Sequence, residues 1–374
     1  GARRVARQGS LRLGKRGGAR APRAPAMTPR RVLLVGAGKR AQETAIPALM
    51  SFGGAVELAG VWARSGRKLE LYGGEFTVQT ETGPEAFPIA EIDTIIVAVT
   101  RSQVPAVLRS LKPYDTRHLA LMLDTPVLDP GDWGATGAFR RFRRVVCSED
   151  AIALPPVAAA RTLIDDGAVG AVRSIHFFHS GWRNHALASI RSLLGRRKPT
   201  RIAVRRGNAK WSETRYRFPG GVRASVVQPH LHGHGRMLVV GDRGAIADYE
   251  TGRSDANQIG YVVEDGVYRG LTVAGKRVEQ DRDRLMFENL PRGLEDRTLD
   301  NMLKIRGFMD LVAGVADDAS PYAYDPFDAI YDHQCLRLAE RLPAFVDVRL
   351  PGRRSLFGGG IRALAGIERA VKRG

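Results

Sequence analysis

The run Arg31-Val32-Leu33-Leu34-Val35 leads straight into Gly36-Ala37-Gly38-Lys39-Arg40-Ala41. An apolar strand followed by Gly-x-Gly-x-x-Ala suits a dinucleotide pyrophosphate. Gly36 permits the tight turn, Gly38 has no side chain to hold phosphates away, and Ala41 lets the next helix lie close to the strand. The free N–H groups at that helix start, around Lys39 and Arg40, face the phosphates, where the helix dipole favours negative charge. A second strand, Val56–Trp62, ends in Ala63-Arg64-Ser65, with Arg67 and Lys68 just beyond. NAD-binding proteins place an acid near this point to accept hydrogen bonds from the ribose. Here Arg64 and Ser65 stand there, and the cations suit a 2′-phosphate. The expected cofactor is therefore NADP, with NAD as the alternative; a solvated basic turn has the same composition.

Other groups carry chemistry with less context. Glu149 and Asp150 follow an apolar strand and can carry protons, although Asp150 also fits a helix N-cap. His230, His232 and His234 alternate, so a strand would put them on one face. Gly233 and Gly235 loosen that strand, and no nearby carboxylate or cysteine completes a metal site; no metal is expected. Cys147 and Cys335 are the only cysteines, too few for a disulfide framework or a cysteine-based zinc site. Trp182 and Trp211 could stack on a sugar, but core packing is the commoner use of such rings.

These residues need a scaffold, and the pattern supplies an α/β one. After the fingerprint helix (Ala41, Ala45, Leu49, Met50), Thr94–Val99 is continuously apolar, as in a parallel strand covered on both faces. Thr100 ends it at the carboxyl edge, where open α/β sheets bind ligands. A helix near Val104–Leu111, a strand over 118–123, Asp124-Thr125-Pro126, another helix and the strand Arg144–Cys147 complete a Rossmann domain over 27–148. The pattern then changes. A helix near Pro156–Asp166 precedes strands at 171–178, 201–206, 214–218, 222–228, 236–240 and 258–263, joined by short turns as in a mostly antiparallel sheet. Helices near Leu299–Val315 and Phe327–Leu342 close an α+β domain over 149–345.

The formal charge of +19 is concentrated at the ends. Residues 1–26 hold eight Arg/Lys and no acid and read as a disordered leader ahead of a natural start at Met27. The tail, 346–374, is basic too, with Ile361, Leu364, Ile367 and Val371 in a stripe suited to docking on the protein body. The modest excess left between the ends does not require a nucleic-acid partner. No apolar run approaches the ~18 residues of a membrane span, so a cytoplasmic location is expected.

Taken together, the chain resembles the Gfo/Idh/MocA oxidoreductases from about Arg31 to Leu342. The residues that carry the likeness are Gly36–Ala41 with Ile46-Pro47-Ala48-Leu49, Val97-Ala98-Val99-Thr100, Asp166-Gly167-Ala168-Val169-Gly170, and His185 followed by Leu193-Leu194-Gly195. The resemblance implies a Rossmann domain, then an α/β domain with an open sheet that often mediates homo-oligomer contacts. It implies NAD(P)-dependent chemistry at a hydroxyl or carbonyl of a sugar, polyol or related small molecule. It also places Asp124, Thr125 and Pro126 on the family's Glu-Lys-Pro cofactor motif and His185 on its catalytic histidine. Two positions depart: Thr125 replaces the lysine, and Gly181 replaces the aspartate four residues before the histidine. A threonine hydroxyl cannot replace lysine as a base, whereas imidazole titrates in the right range, so His185 is the expected catalytic group. The alternative is a non-catalytic dinucleotide-binding sensor or scaffold.

Overall fold

The computed structural model describes residues 28–350 except 75, 181–182, 208–210, 232–234, 279, 292–293, 295–297, 316–319 and 344–346. The leader 1–26, the tail from 351, Gly181, Trp182, His232 and His234 lie outside the described residues.

The N-terminal half builds a seven-stranded sheet. Its strands are β1 (Arg30–Val35), β2 (Val56–Trp62), β3 (Arg67–Leu71), β4 (Phe76–Glu81), β5 (Thr94–Val97), β6 (Ala120–Asp124) and β7 (Arg144–Ser148), in the order β3-β4-β2-β1-β5-β6-β7. All pairs are parallel except β3–β4. The central strands are buried on both faces: Val32, Leu33, Leu34 and Ile95 are fully inaccessible, as their continuous apolar runs require. β3 and β4 replace the crossover helix that the pattern would put after β2; the alternation Lys68-Leu69-Glu70-Leu71 buries only its leucines. No helix precedes β7. Residues Pro130–Arg141 form successive tight 3₁₀ turns, because Gly131, Gly134 and Gly137 weaken an α-helix there.

The C-terminal half forms a ten-stranded sheet. Its strands are β8 (Val172–Phe178), β9 (Arg201–Arg206), β10 (Ser212–Arg217), β11 (Arg223–Gln228), β12 (Arg236–Gly241), β13 (Ala245–Ala247), β14 (Ala256–Glu264), β15 (Val267–Val273), β16 (Lys276–Val278) and β17 (Asp347–Arg349), in the order β16-β15-β14-β13-β12-β8-β11-β10-β9-β17. It is mostly antiparallel; β11–β8 and β13–β14 are parallel. Residues 347–349, read as part of the tail, are instead the edge strand beside β9.

Among the described residues, seven α-helices complete the fold: α1 (Ile46–Met50), α2 (Val104–Ser110), α3 (Pro155–Asp165), α4 (Arg183–Leu193), α5 (Asp281–Asn289), α6 (Leu299–Val315) and α7 (Pro326–Arg341). Ile175, Phe177, Val204, Val226 and Val239 on the inner face of the second sheet share one apolar core with α3, α4, α6 and α7. A polar lock crosses this core. Arg191 of α4 is fully buried and reaches Asp332 at 2.6 Å, Asp328 at 2.7 Å and the Tyr324 hydroxyl at 3.1 Å. Such a charge is tolerated only because it is paired. Burial, opposed by Arg191, pushes the Asp332 carboxyl up to about 7. The Cys147 N–H donates to the Tyr324 carbonyl at 2.7 Å, so the end of β7, α4 and α7 hold one another in place.

Candidate functional site

The fingerprint turn sits at the carboxyl end of β1. Gly36 has φ +111°, and a Cβ there would lie 2.3 Å from the Ala98 carbonyl oxygen. Only glycine fits such a backbone. At Gly38 a Cβ would meet no heavy atom within 4 Å, so the space over this turn is open. Ala41 is fully buried and starts a π-helical turn, Ala41–Ala45, that passes into α1. Lys39 is exposed, 3.8 Å from Glu43. Arg64 and Ser65 lie exposed in the turn after β2. That turn is fixed by Thr80, whose hydroxyl donates to the Ser65 carbonyl at 2.8 Å and accepts from the Arg67 N–H at 2.9 Å. Arg64 has no ion-pair partner among the described residues. Thr100 is exposed beyond β5, its hydroxyl 3.4 Å from that of Ser102.

Arg40 departs from its expected place at the phosphates. Its side chain turns inward, 2.9 Å from Asp150 and 3.6 Å from Asp124, with its guanidinium 5.1 Å over the Phe308 ring. The cause is electrostatic: two carboxylates at the ends of neighbouring strands need a cation, and Arg40, at the start of the helical turn Ala41–Ala45, reaches both. Burial disfavours its charge, but Asp150 and then Asp124 outweigh that and raise its pKa.

Asp124 ends β6 and Ser148 ends β7; the Ser148 hydroxyl donates to Asp124 at 2.8 Å. Asp124 is raised, mainly by burial, with Arg40 opposing. Asp150 is lowered, because Arg40 and His185 outweigh its desolvation. Glu149 is 1% exposed, and its Oε1 lies 2.6 Å from Nδ1 of His185 in the first turn of α4. Desolvation would lower the His185 pKa. Glu149, through charge and hydrogen bond, and then Asp150 and Asp124, raise it instead from 6.5 to about 9. His185 is thus an imidazolium at neutral pH, its Nδ1–H donating to Glu149. Its side chain is 27% exposed, and Nε2 has no hydrogen-bond partner among the described residues. The Ser189 hydroxyl, donating to the His185 carbonyl at 3.0 Å, ties down the backbone that carries the ring.

The structure therefore brings Arg40, Asp124, Ser148, Glu149, Asp150 and His185 together at the carboxyl ends of β6 and β7. Thr125 and Pro126, half-buried, continue from Asp124. Donor atoms of Glu149, Asp150 and His185 lie within 4.8 Å of one another, close enough to hold a metal; Arg40 and the His185 proton neutralise them without one. His230 lies apart, its Nδ1 3.1 Å from the His179 carbonyl. The carboxylate that contacts His185 is that of Glu149, 36 residues upstream. Sequence reading named Glu149 without its partner; the signal was an acidic pair directly after a buried strand. Ser148 and the inward turn of Arg40 had no such signal.

The sequence matches no family profile and no curated protein. Solved structures do match. The myo-inositol 2-dehydrogenase of Lactobacillus plantarum superposes with a TM-score of 0.57 at 14% identity, over 86% of this chain and 100% of that one. The fold is that of the Gfo/Idh/MocA-type oxidoreductases. GenD2 from gentamicin A biosynthesis, solved in complex with NAD, matches with a TM-score of 0.57 at 15% identity, over 88% of this chain and 99% of that one. The super-repressor mutant of Gal80p from Saccharomyces cerevisiae matches with a TM-score of 0.54 at 12% identity, over 84% of this chain and 95% of that one. The oxidoreductase fold thus also serves a repressor, and function has to be argued from the site. No helix among the described residues is long and apolar enough to cross a membrane.

Proposed function

We propose that the protein is an NADP-dependent oxidoreductase that moves a hydride to or from a carbonyl or hydroxyl carbon of a sugar-like or polyol substrate. His185 is its acid–base group. The observation that carries this reading is the 2.6 Å contact between His185 Nδ1 and buried Glu149 at the strand ends. A base oriented by a carboxylate is the arrangement proton transfer needs.

The open turn at Gly38, the strained glycine at Gly36 and the unpaired Arg64 fit a dinucleotide. Gly36, Gly38 and Lys39 would hold the pyrophosphate, Arg64 and Ser65 the 2′-phosphate, and Thr100 with Asp124, Thr125 and Pro126 the nicotinamide end. The bound cofactor supplies or accepts the hydride. His185 holds the proton: Nε2–H donates to the substrate oxygen as the carbonyl is reduced, while Nδ1–H stays on Glu149. Arg40 cannot take the missing lysine's part as a base, since guanidinium does not deprotonate in proteins. It supplies charge only, keeping Asp150 and Asp124 from repelling one another.

The test is NADPH oxidation with a panel of keto-sugars, inosose-like ketones and small carbonyls, read by loss of nicotinamide absorbance. Turnover abolished by His185→Ala supports the reading. Thr125 in place of lysine favours a second one, a dinucleotide-responsive binding protein. Tight NADPH binding with no turnover across the panel would select it.

A further inference from the structure

The outer face of the second sheet carries a row of like charges set by register. Arg349 of β17 is directly opposite Arg201 of β9, Arg201 opposite Arg217 of β10, and Arg217 opposite Arg223 of β11. Residues directly opposite in antiparallel strands share a face, and like charges there are destabilising. All four arginines are exposed. Acids lie one row away: Asp347 binds Arg201 at 3.0 Å and Glu213 binds Arg215 at 2.7 Å. Arg217, Arg223 and Arg349 have no ion-pair partner among the described residues. A depression of about 340 Å³ lies along Arg201, Arg205, Arg215 and Arg217, with Asp347 also in its lining.

We infer that this arginine row is a binding face for a nucleic-acid strand, held by its phosphates. Strands lie ~4.8 Å apart, so four arginines on four strands span ~14 Å. A nucleic-acid strand carries a charge at every nucleotide whatever its sequence, whereas an extended acidic peptide turns a carboxylate toward the row only at alternate, acidic positions. The row also crosses the strands rather than running along them, which a peptide pairing with the sheet edge cannot follow. Guanidinium suits phosphate because its fork binds two oxygens at once. A second copy of the chain is a poor occupant, since face-to-face pairing would oppose two such rows.

The experiment follows binding of a fluorescein-labelled oligothymidylate to the full chain by anisotropy across a salt series. Each single-strand phosphate contact contributes about −0.7 to the slope of log K against log salt. Arg217→Gln with Arg223→Gln should flatten the slope by about 1.4 and weaken binding about 25-fold at ~0.1 M salt. Arg217→Lys with Arg223→Lys should keep the slope. A second measurement needs no variant: arginine-selective modification of the unaltered protein, mapped by mass spectrometry, should show Arg217, Arg223 and Arg349 protected by the oligonucleotide. An unchanged slope and affinity in the glutamine variant overturns the proposal, as does protection confined to residues beyond 350. Competition by polyglutamate or phosphatidylserine vesicles as effective as that by unlabelled oligothymidylate overturns it too, naming an acidic protein or a membrane instead.

Discussion

Replacing Glu149 with glutamine tests the proposed chemistry most directly. Glutamine keeps the volume and can still accept the Nδ1–H hydrogen bond, but it removes the charge that holds the proton on His185. In the folded protein His185 is raised from 6.5 to about 9, against desolvation, chiefly by Glu149. At pH 7.5 a pKa near 9 leaves about 97% of the ring protonated, and a pKa near 6.5 about 9%. Desolvation without the Glu149 charge pulls further in the same direction. Reduction of a carbonyl, which uses the imidazolium as acid, should therefore fall at least about tenfold at pH 7.5. The alkaline limb of its pH–rate profile should move from near 9 to 6.5 or below. Oxidation of the alcohol uses the neutral ring, so its rate at pH 7.5 should rise or hold.

The assay is kcat/KM for carbonyl reduction over pH 5–10 in both proteins, with the ¹³Cε1 shift of His185 titrated by NMR as a readout free of substrate. Stability carries the same signature. A histidine whose folded pKa lies above its unfolded value stabilises fully below pH 6.5 and loses that contribution as pH rises through about 9. The gap in unfolding free energy between the parent and Glu149→Gln should narrow over that window. A His185 ring titrating near 6.5 in the parent, or an alkaline limb unmoved by the substitution, would refute the reasoning.

Three further outcomes are expected. His185→Ala should lower turnover by about 10²–10⁴-fold while NADPH still binds, as read by fluorescence titration; normal turnover would move the proton path elsewhere. Arg64→Ala should remove most of a preference for NADPH over NADH, a charge-assisted contact worth about 1.5–3 kcal/mol; equal affinities in the parent would rule out that assignment. Gly36→Ala sets a methyl 2.3 Å from the Ala98 oxygen at φ +111° and should cost about 2–4 kcal/mol in denaturant unfolding, with an unchanged midpoint counting against the turn geometry.

Much of the scaffold was legible because its signals are local. A continuous apolar run marks a strand buried on both faces, and β2 and α6 occupy the spans their patterns indicate, Val56–Trp62 and Leu299–Val315. The glycine turn after β1 was readable because only glycine meets its backbone demand. What was not legible depends on distance in the chain. The Glu149–His185 pair, the Arg191 lock to Asp328 and Asp332, and the insertion of β4 between β2 and β3 each join segments that carry no mutual signal in a single sequence. Arg40 was placed at the phosphates because its position in the turn points there. Two half-buried carboxylates at and just beyond the ends of neighbouring strands redirected it, a tertiary override of a sound local reading. The arginine row has the same origin: β9, β10, β11 and β17 each look like ordinary surface strands, and only their register lines the charges up.

The charge pattern of the candidate site bears on whether the protein is a catalyst or a binding module. Three carboxylates, Asp124, Glu149 and Asp150, face two cations, Arg40 and a protonated His185. Burying charge is costly, and replacing such groups with apolar ones of similar volume is often neutral or stabilising. A module that only binds a dinucleotide gains nothing from keeping a proton on an imidazole 2.6 Å from a buried carboxylate while leaving the other ring nitrogen without a partner among the described residues. A catalyst gains a donor already charged and partly exposed. Under the proposed function, threonine at position 125 moves rather than removes the acid–base role: Arg40 would supply the positive charge and His185 of α4 the proton. Because Arg40 belongs to the same short helix start that would hold the pyrophosphate, dinucleotide binding and the charge state of the cluster are linked. NADPH affinity should therefore change across the titration of His185 near pH 9 in the parent and lose that dependence in His185→Gln; a pH-independent affinity in the parent would separate the two sites.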